Sequence, residues 1–298
     1  MQTIPQPAAS RSSRRGRTSR RFGVHHAVGI LLSLCLWACD EDVRPSSGGG
    51  GSGAGTSCSR ELLGSTVDAY FKALAAHNPS SLKLAPNVKF TENGKELPLG
   101  EGLWKTAGAV KFKRSALDVQ QCESATESVV PNGRADFIVG LRLKLQNQLI
   151  SEVETYLVGP NGWFPNPAAV IRGASDDWET PLPANQRATR DELKKIVDDY
   201  FIGLFGGTVP VARYPFASNC KRAENGFSPG ACNFGIPTIM AMRPVHYVLD
   251  VEASIGVGFV LFAGAMLDFH MFKVRGGQVQ GVHAVVGPSV GRAGRGWP

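Results

Sequence analysis

The sequence contains no short Cys-x-x-Cys or Cys-x-x-His spacing, which speaks against a zinc site. It has no phosphate loop either: "GEGLW", Gly100 to Trp104, lacks the lysine and the downstream Ser/Thr that such a loop needs. "GPSVG", Gly287 to Gly291, has the G-x-S-x-G spacing of a serine hydrolase, but that elbow requires a helix after it. Only seven residues follow, with Gly294, Gly296 and Pro298 among them. Ser289 is therefore set aside as a nucleophile, and no motif calls for a cofactor or a metal. Acid is absent from residues 1–21, which hold six arginines, Arg11, Arg14, Arg15, Arg17, Arg20 and Arg21. The chain carries 32 basic and 25 acidic residues, and without those six arginines the balance falls to 26 against 25. The basic pI thus belongs to the leader, and nothing argues for nucleic acid as a partner.

Behind the arginines the apolar run "AVGILLSLCLWA", Ala27 to Ala38, has twelve residues. That is too few to span a bilayer and suits the apolar part of an export signal. It ends in "LWAC", which resembles the lipobox of bacterial lipoproteins, where cleavage precedes a cysteine that then takes lipid. That cysteine would be Cys39, with residues 1–38 as the signal peptide; the alternative is an ordinary secretory signal cut elsewhere. Asp40 directly after it resembles an inner-membrane retention signal. "DEDVRPSSGGGGSGAGTS", Asp40 to Ser57, is polar and rich in Gly and Ser. Residues 39–56 therefore read as a lipid-anchored tether with a reach of roughly 20–25 Å. The expected place is the bacterial cell envelope, anchored to a membrane and facing the periplasm or the exterior.

The rest of the chain repeats itself. "SRELLGSTVDAYFKAL", Ser59 to Leu74, aligns with "TRDELKKIVDDYFIGL", Thr189 to Leu204, with Arg60, Val67, Asp68, Tyr70, Phe71 and Leu74 recurring as Arg190, Val197, Asp198, Tyr200, Phe201 and Leu204. The apolar positions follow helical spacing, and Thr189 with Glu192 forms a capping box. "ENG" at Glu92–Gly94 returns at Glu224–Gly226, and "LDV" at Leu117–Val119 returns at Leu249–Val251, both at an offset of 132. Asn-Gly predicts a tight hairpin, which makes Glu92 and Glu224 solvated residues beside a turn. "LKL", Leu143–Leu145, aligns with "FKV", Phe272–Val274, at offset 129. A steady offset means a duplicated domain. The expected division is residues 57–160 for the first domain, 161–187 for a Pro- and Gly-rich linker packed on the surface, and 188–298 for the second with its C-terminal tail. Cys58, Cys122, Cys220 and Cys232 remain after export and allow three pairings. Cys58 with Cys122 and Cys220 with Cys232 close one loop inside each domain.

Each unit reads as a long helix, an irregular segment and then several strands, with Phe137, Val139, Leu141, Leu143 and Leu145 alternating on one face. The fold class is α+β: two tandem cone-shaped domains, each a long helix packed on a curved antiparallel sheet. With its element order, the paired "YF" of each helix and the "GGQV" turn into the last strand, the chain resembles the nuclear-transport-factor-2-like superfamily, which includes ketosteroid isomerase, scytalone dehydratase and SnoaL-type polyketide cyclases. "AYFKALAAHNPSSLKLAPNVKFTENGKELPLGEGLWKT", Ala69 to Thr106, resembles more closely the opening of a family of secreted two-part proteins in fungi and bacteria. That family usually has His-Asp-Pro where His77, Asn78 and Pro79 stand, and a second cysteine where Leu62 stands. It lends no activity. The wider superfamily implies a small apolar pocket that serves isomerases, dehydratases, cyclases and plain binding proteins alike.

Function must then come from polar residues that point inward. By the alignment, Phe137, Val139 and Leu141 correspond to Met266, Asp268 and His270, so an apolar face has acquired an acid and a base two residues apart. Asp268 and His270 are the candidate proton-transfer pair, with His283 on the last strand and Tyr200 on the helix as further catalytic candidates. A register error of one residue would turn the pair outward. Trp104 and Tyr70 are the candidate ligand-binding residues of the first cone. His246 and Asp250, four apart on a strand, read as surface residues rather than metal ligands. The expectation is a small apolar ligand, a membrane contact through the lipid anchor, and an internal pseudo-dimer of the two domains. The competing expectation is a non-catalytic envelope scaffold.

Overall fold

The computed structural model describes residues 58–173, 176–290 and 296–297. The expected export signal, the expected lipidation site at Cys39 and the expected tether lie outside the described residues. In the first domain Ser59 caps α1 (Arg60–Ala75) by accepting from the Leu62 amide, and Leu63, Val67, Tyr70, Phe71 and Leu74 form its buried face. In the second domain both halves of the Thr189–Glu192 capping box start α3 (Arg190–Asp198). That helix continues as a π-helical turn over Asp199–Leu204, which carries Tyr200, Phe201 and Leu204 into the core.

The first sheet comprises β1 (Leu84–Glu92), β2 (Lys95–Glu96), β3 (Phe112–Asp118), β4 (Glu123–Asn132), β5 (Ala135–Gln146) and β6 (Leu149–Val158), in the spatial order β2-β1-β6-β5-β4-β3. The second comprises β7 (Phe216–Glu224), β8 (Phe227–Ala231), β9 (His246–Asp250), β10 (Ile255–Phe262), β11 (Met266–Arg275) and β12 (Gln278–Ser289), in the order β8-β7-β12-β11-β10-β9. The orders are identical. Each sheet is mixed rather than antiparallel throughout, because β1 runs parallel to β6 and β7 parallel to β12. The first strand of each unit enters beside the last, and a hairpin cannot make that connection.

The repeated Asn-Gly turns are hairpin turns with a second role. Asn93 and Asn225 adopt φ of 51° and 50°, followed by Gly94 and Gly226 at 75° and 76°. The Asn93 side chain also accepts from the Leu157 amide at 2.8 Å, and that of Asn225 from the Val286 amide at 2.9 Å. Each turn is thereby stitched to the last strand of its own sheet. Disulfides join Cys58 to Cys122 and Cys220 to Cys232. They fit an oxidising, extracytoplasmic compartment. Among the described residues no helix is long and apolar enough to cross a membrane.

One face of each sheet packs on its own helix, and the opposite faces pack on each other. Ala125, Val129 and Ile138 of the first sheet share a buried cluster with Val257, Phe259, Phe269 and Val285 of the second. Gly140 permits the approach, since a Cβ there would lie 2.5 Å from the Phe269 ring. Two reciprocal ion pairs clasp this interface. Arg60 donates to both oxygens of Asp250 at 2.7 and 2.8 Å, and Asp250 also accepts from the Leu117 amide at 2.9 Å. Arg190 donates to Asp118 at 2.8 Å, and Asp118 accepts from the Leu249 amide at 2.9 Å. The recurring Arg and the recurring "LDV" meet across a pseudo-twofold axis, each copy holding the other. Asp250 is accordingly buried, contrary to the surface position expected for it. The linker also departs from expectation: Val170 of α2 (Pro167–Arg172) and Trp178 are buried in the interdomain cluster, because the sheet faces leave an apolar edge for them to cover.

Candidate functional site

The two cones share a frame and differ in what fills it. In the first, Leu141 faces Thr155 across the β5–β6 pairing, and Thr155 faces Glu92 on β1. In the second, His270 faces Ala284 and Ala284 faces Glu224. The register therefore makes Leu141 and His270 structural equivalents, and with them Val139 and Asp268, and Phe90 and Arg222.

In the first cone the inward positions are apolar and the interior is closed. Glu92 accepts from the Leu103 amide at 2.8 Å and so anchors the short helical turn Gly102–Lys105. That turn delivers Trp104, 1 % exposed, into the cluster that holds Val139 and Leu141, edge-on to Tyr70 at 5.3 Å between ring centres. Trp104 and Tyr70 thus fill the first cone instead of lining an opening in it. Glu92 is half-buried rather than solvated, and burial raises its carboxyl, with the Leu103 amide pulling the other way.

The second cone keeps a cavity of about 420 Å³. Its wall is mostly apolar, with Trp163, Phe205, Ile239, Phe262 and Val286, and its polar groups are Arg222, Glu224, Asp268 and His270. The segment equivalent to the Trp104 turn stays at the rim here. Arg222 holds it there by donating to the carbonyls of Cys232 at 3.3 Å and Phe234 at 2.8 Å, and the Cys220–Cys232 bridge ties its start to β7. Arg222 Nε lies 3.2 Å from Glu224 Oε1, so the charge is paired, but the contact lacks hydrogen-bond geometry and leaves Nε without a hydrogen-bond partner. Arg222 went unremarked in the sequence, although the same comparison of copies that picked out Asp268 would have found it opposite Phe90.

Asp268 and His270 are both on the inward face, 0 % and 2 % exposed, with His270 Nδ1 at 3.1 Å from Asp268 Oδ1. A carboxylate only accepts, so Nδ1 carries the proton and Nε2 is the ring's free position. His270 Nε2 and Asp268 Oδ2 have no hydrogen-bond partner in the protein. With Arg222 Nε they make three buried polar atoms on residues of the cavity wall, and such atoms are costly unless something in the cavity meets them. Tyr200 packs on His270 at 5.3 Å between ring centres, but it stands behind the pair and not on the cavity wall. Its hydroxyl makes no hydrogen bond of normal geometry. Burial raises its pKa well above the ordinary value despite the nearby Arg222, so it stays a neutral phenol.

Residues 186–286 match the family model DUF8021, a domain of unknown function. The matched span covers most of the second cone and all of its cavity wall except Trp163. Three solved structures are similar in fold: a candidate ketosteroid isomerase from Kribbella flavida (15 % identity, 36 % of this chain and 84 % of that one, TM-score 0.27), a candidate polyketide cyclase from a Silicibacter species (17 %, 39 % and 97 %, 0.27), and an NTF-2-like protein of unknown function from Burkholderia xenovorans (11 %, 39 % and 95 %, 0.28). No curated protein matches the chain.

His283 does not join the pair. It lies beside Ala284 on β12, and alternate strand positions face opposite ways, so its ring points into the domain interface. There Nδ1 is 3.0 Å from Glu127 Oε2 of the first sheet, Arg114 is 3.2 Å from the same oxygen, and Trp178 stacks edge-on at 4.9 Å. Burial pushes the Glu127 carboxyl up, but His283 and Arg114 together hold it below its ordinary value. Ser289 is the exposed last residue of β12. Among the described residues no three His, Cys, Asp or Glu side chains gather as a metal site.

Proposed function

We propose that this is an exported, lipid-anchored protein, an internal pseudo-dimer whose second cone captures a small, neutral, largely apolar molecule. The molecule presents a polar group, such as a carbonyl or hydroxyl, to Asp268 and His270. The observation that carries this reading is the pair of unsatisfied atoms, His270 Nε2 and Asp268 Oδ2, on the wall of a mostly apolar cavity. Glu224 balances the Arg222 charge and the rim carbonyls take its two terminal nitrogens, which favours a neutral ligand over an anion. Asp268 fixes the imidazole tautomer, and Nε2 can take a proton from a carbon beside a carbonyl or return one. That is isomerase- or dehydratase-type chemistry. A second reading, a non-catalytic envelope scaffold, draws on the first cone, where Trp104 closes the interior.

Fluorescence of the neutral apolar probe N-phenyl-1-naphthylamine tests capture. The wild type should bind it, and Val286→Phe, which adds a ring to the cavity wall, should not. Equal binding by both variants would overturn the cavity reading. Ultraviolet absorbance of the conjugated product from a β,γ-unsaturated ketone tests the chemistry. Turnover lost in His270→Leu supports proton transfer, whereas probe binding without turnover supports a carrier.

A further inference from the structure

The exposed apolar surface of the molecule is concentrated around the mouth of this one cavity. Among the described residues, every large hydrophobic side chain left exposed belongs to residues 163–164 or 227–245. Trp163, Phe164 and Phe234 are 46 %, 59 % and 64 % exposed. Trp163 stands edge-on to Phe164 at 5.1 Å, and Phe164 lies 5.5 Å from Phe227. Trp163 and Ile239 are also cavity wall, so patch and mouth are continuous. The exposure is built in, because Arg222 and the Cys220–Cys232 bridge hold the rim in place. A contiguous apolar patch of this kind marks contact with a membrane or another protein.

Charge favours the membrane. Residues 157–173 and 225–245, which carry the exposed apolar side chains, contain no acid. The same segments expose Arg172 and Arg243. Tryptophan and phenylalanine at the tip, with arginine and no acid in the same segments, match the acyl boundary and the anionic headgroups of a phospholipid surface. We infer that the rim of the second cone docks on an anionic phospholipid bilayer, with the cavity mouth against the acyl chains. Resting on the proposed capture of an apolar ligand, the ligand then enters from the lipid phase and not from water.

The test uses the full chain with vesicles of phosphatidylcholine, alone or mixed with phosphatidylglycerol. The N-terminal arginines can also bind such vesicles, so the readout is the difference between variants. Phe164→Ser with Phe227→Ser should lower partitioning onto the anionic vesicles about tenfold while leaving Tm unchanged. Brominated acyl chains should quench a component of tryptophan emission that Trp163→Phe removes. Unchanged partitioning, or quenching that Trp163→Phe leaves intact, would overturn the proposal and assign vesicle binding to the N-terminal segment. Self-association in light scattering that the double serine variant abolishes would overturn it in favour of a second copy of the chain. Val286→Phe separates this proposal from the cavity reading, since it should abolish probe binding and leave vesicle partitioning as it was.

Discussion

Asp268 and His270 are expected to cost stability, and converting them to their first-cone counterparts measures how much. Val139 and Leu141 occupy the equivalent positions of the first sheet, so Asp268→Val with His270→Leu introduces side chains that this frame already accepts. The wild-type pair makes one hydrogen bond, at 3.1 Å, and leaves Asp268 Oδ2 and His270 Nε2 buried without partners. Replacing both members of such a pair with apolar side chains is stabilising by about 1–3 kcal/mol. Replacing His270 alone strands Asp268 entirely and should destabilise by about 1–3 kcal/mol. In differential scanning calorimetry with the disulfides intact, these changes correspond to roughly 2–4 °C per kcal/mol in opposite directions. A double variant less stable than the wild type would refute the reasoning, because the pair would then be a structural hydrogen bond and not a site held open at a cost.

Other outcomes follow from the frame around the site. Asp250→Asn removes the charged partner of half-buried Arg60, and urea unfolding should show a loss of about 1–3 kcal/mol, with Asp118→Asn giving a similar loss by the pseudo-symmetry. Glu127 is held below its ordinary 4.5 by His283 and Arg114. A depressed carboxyl stabilises the fold above its unfolded value and loses that contribution as pH falls through the folded value, so Glu127→Gln should be destabilising at neutral pH and converge on the wild type below pH 4.5. Gly258→Ala would place a Cβ 2.4 Å from Val197 and 3.1 Å from Phe201, and should lower stability by about 1–3 kcal/mol as α3 shifts. Changing Cys220 and Cys232 to Ser opens a loop of sequence separation 12, costs about 2–3 kcal/mol, and should weaken probe binding as the rim loosens.

The duplication was legible because the matched residues answer to the frame: Tyr70 and Tyr200 in the helices, the Asn-Gly turns and the "LDV" strands recur wherever the architecture repeats. Their partners were not. Arg60 and Asp250 stand 190 positions apart, and no local pattern says that a repeated arginine will reach a repeated aspartate of the other copy. The inward placement of Asp268 and His270 followed from strand alternation anchored on Leu143 and Phe272. His283 was misplaced by the same rule, since a last strand read without its register gives no face. Trp104 was read as wall and proved to be filling, because whether a loop enters a cone or stays at its rim depends on contacts such as Glu92 with Leu103 and Arg222 with Phe234. The cavity itself arises from that divergence. It is visible only when both copies are folded.

Mass spectrometry of the organic extract from purified protein tests the central claim most directly, with wild type and Val286→Phe prepared in parallel. A neutral apolar compound present in the wild-type extract and absent from that of the folded Val286→Phe variant is the predicted result. Extracts that do not differ, together with a wild-type Tm unmoved by N-phenyl-1-naphthylamine, would contradict it.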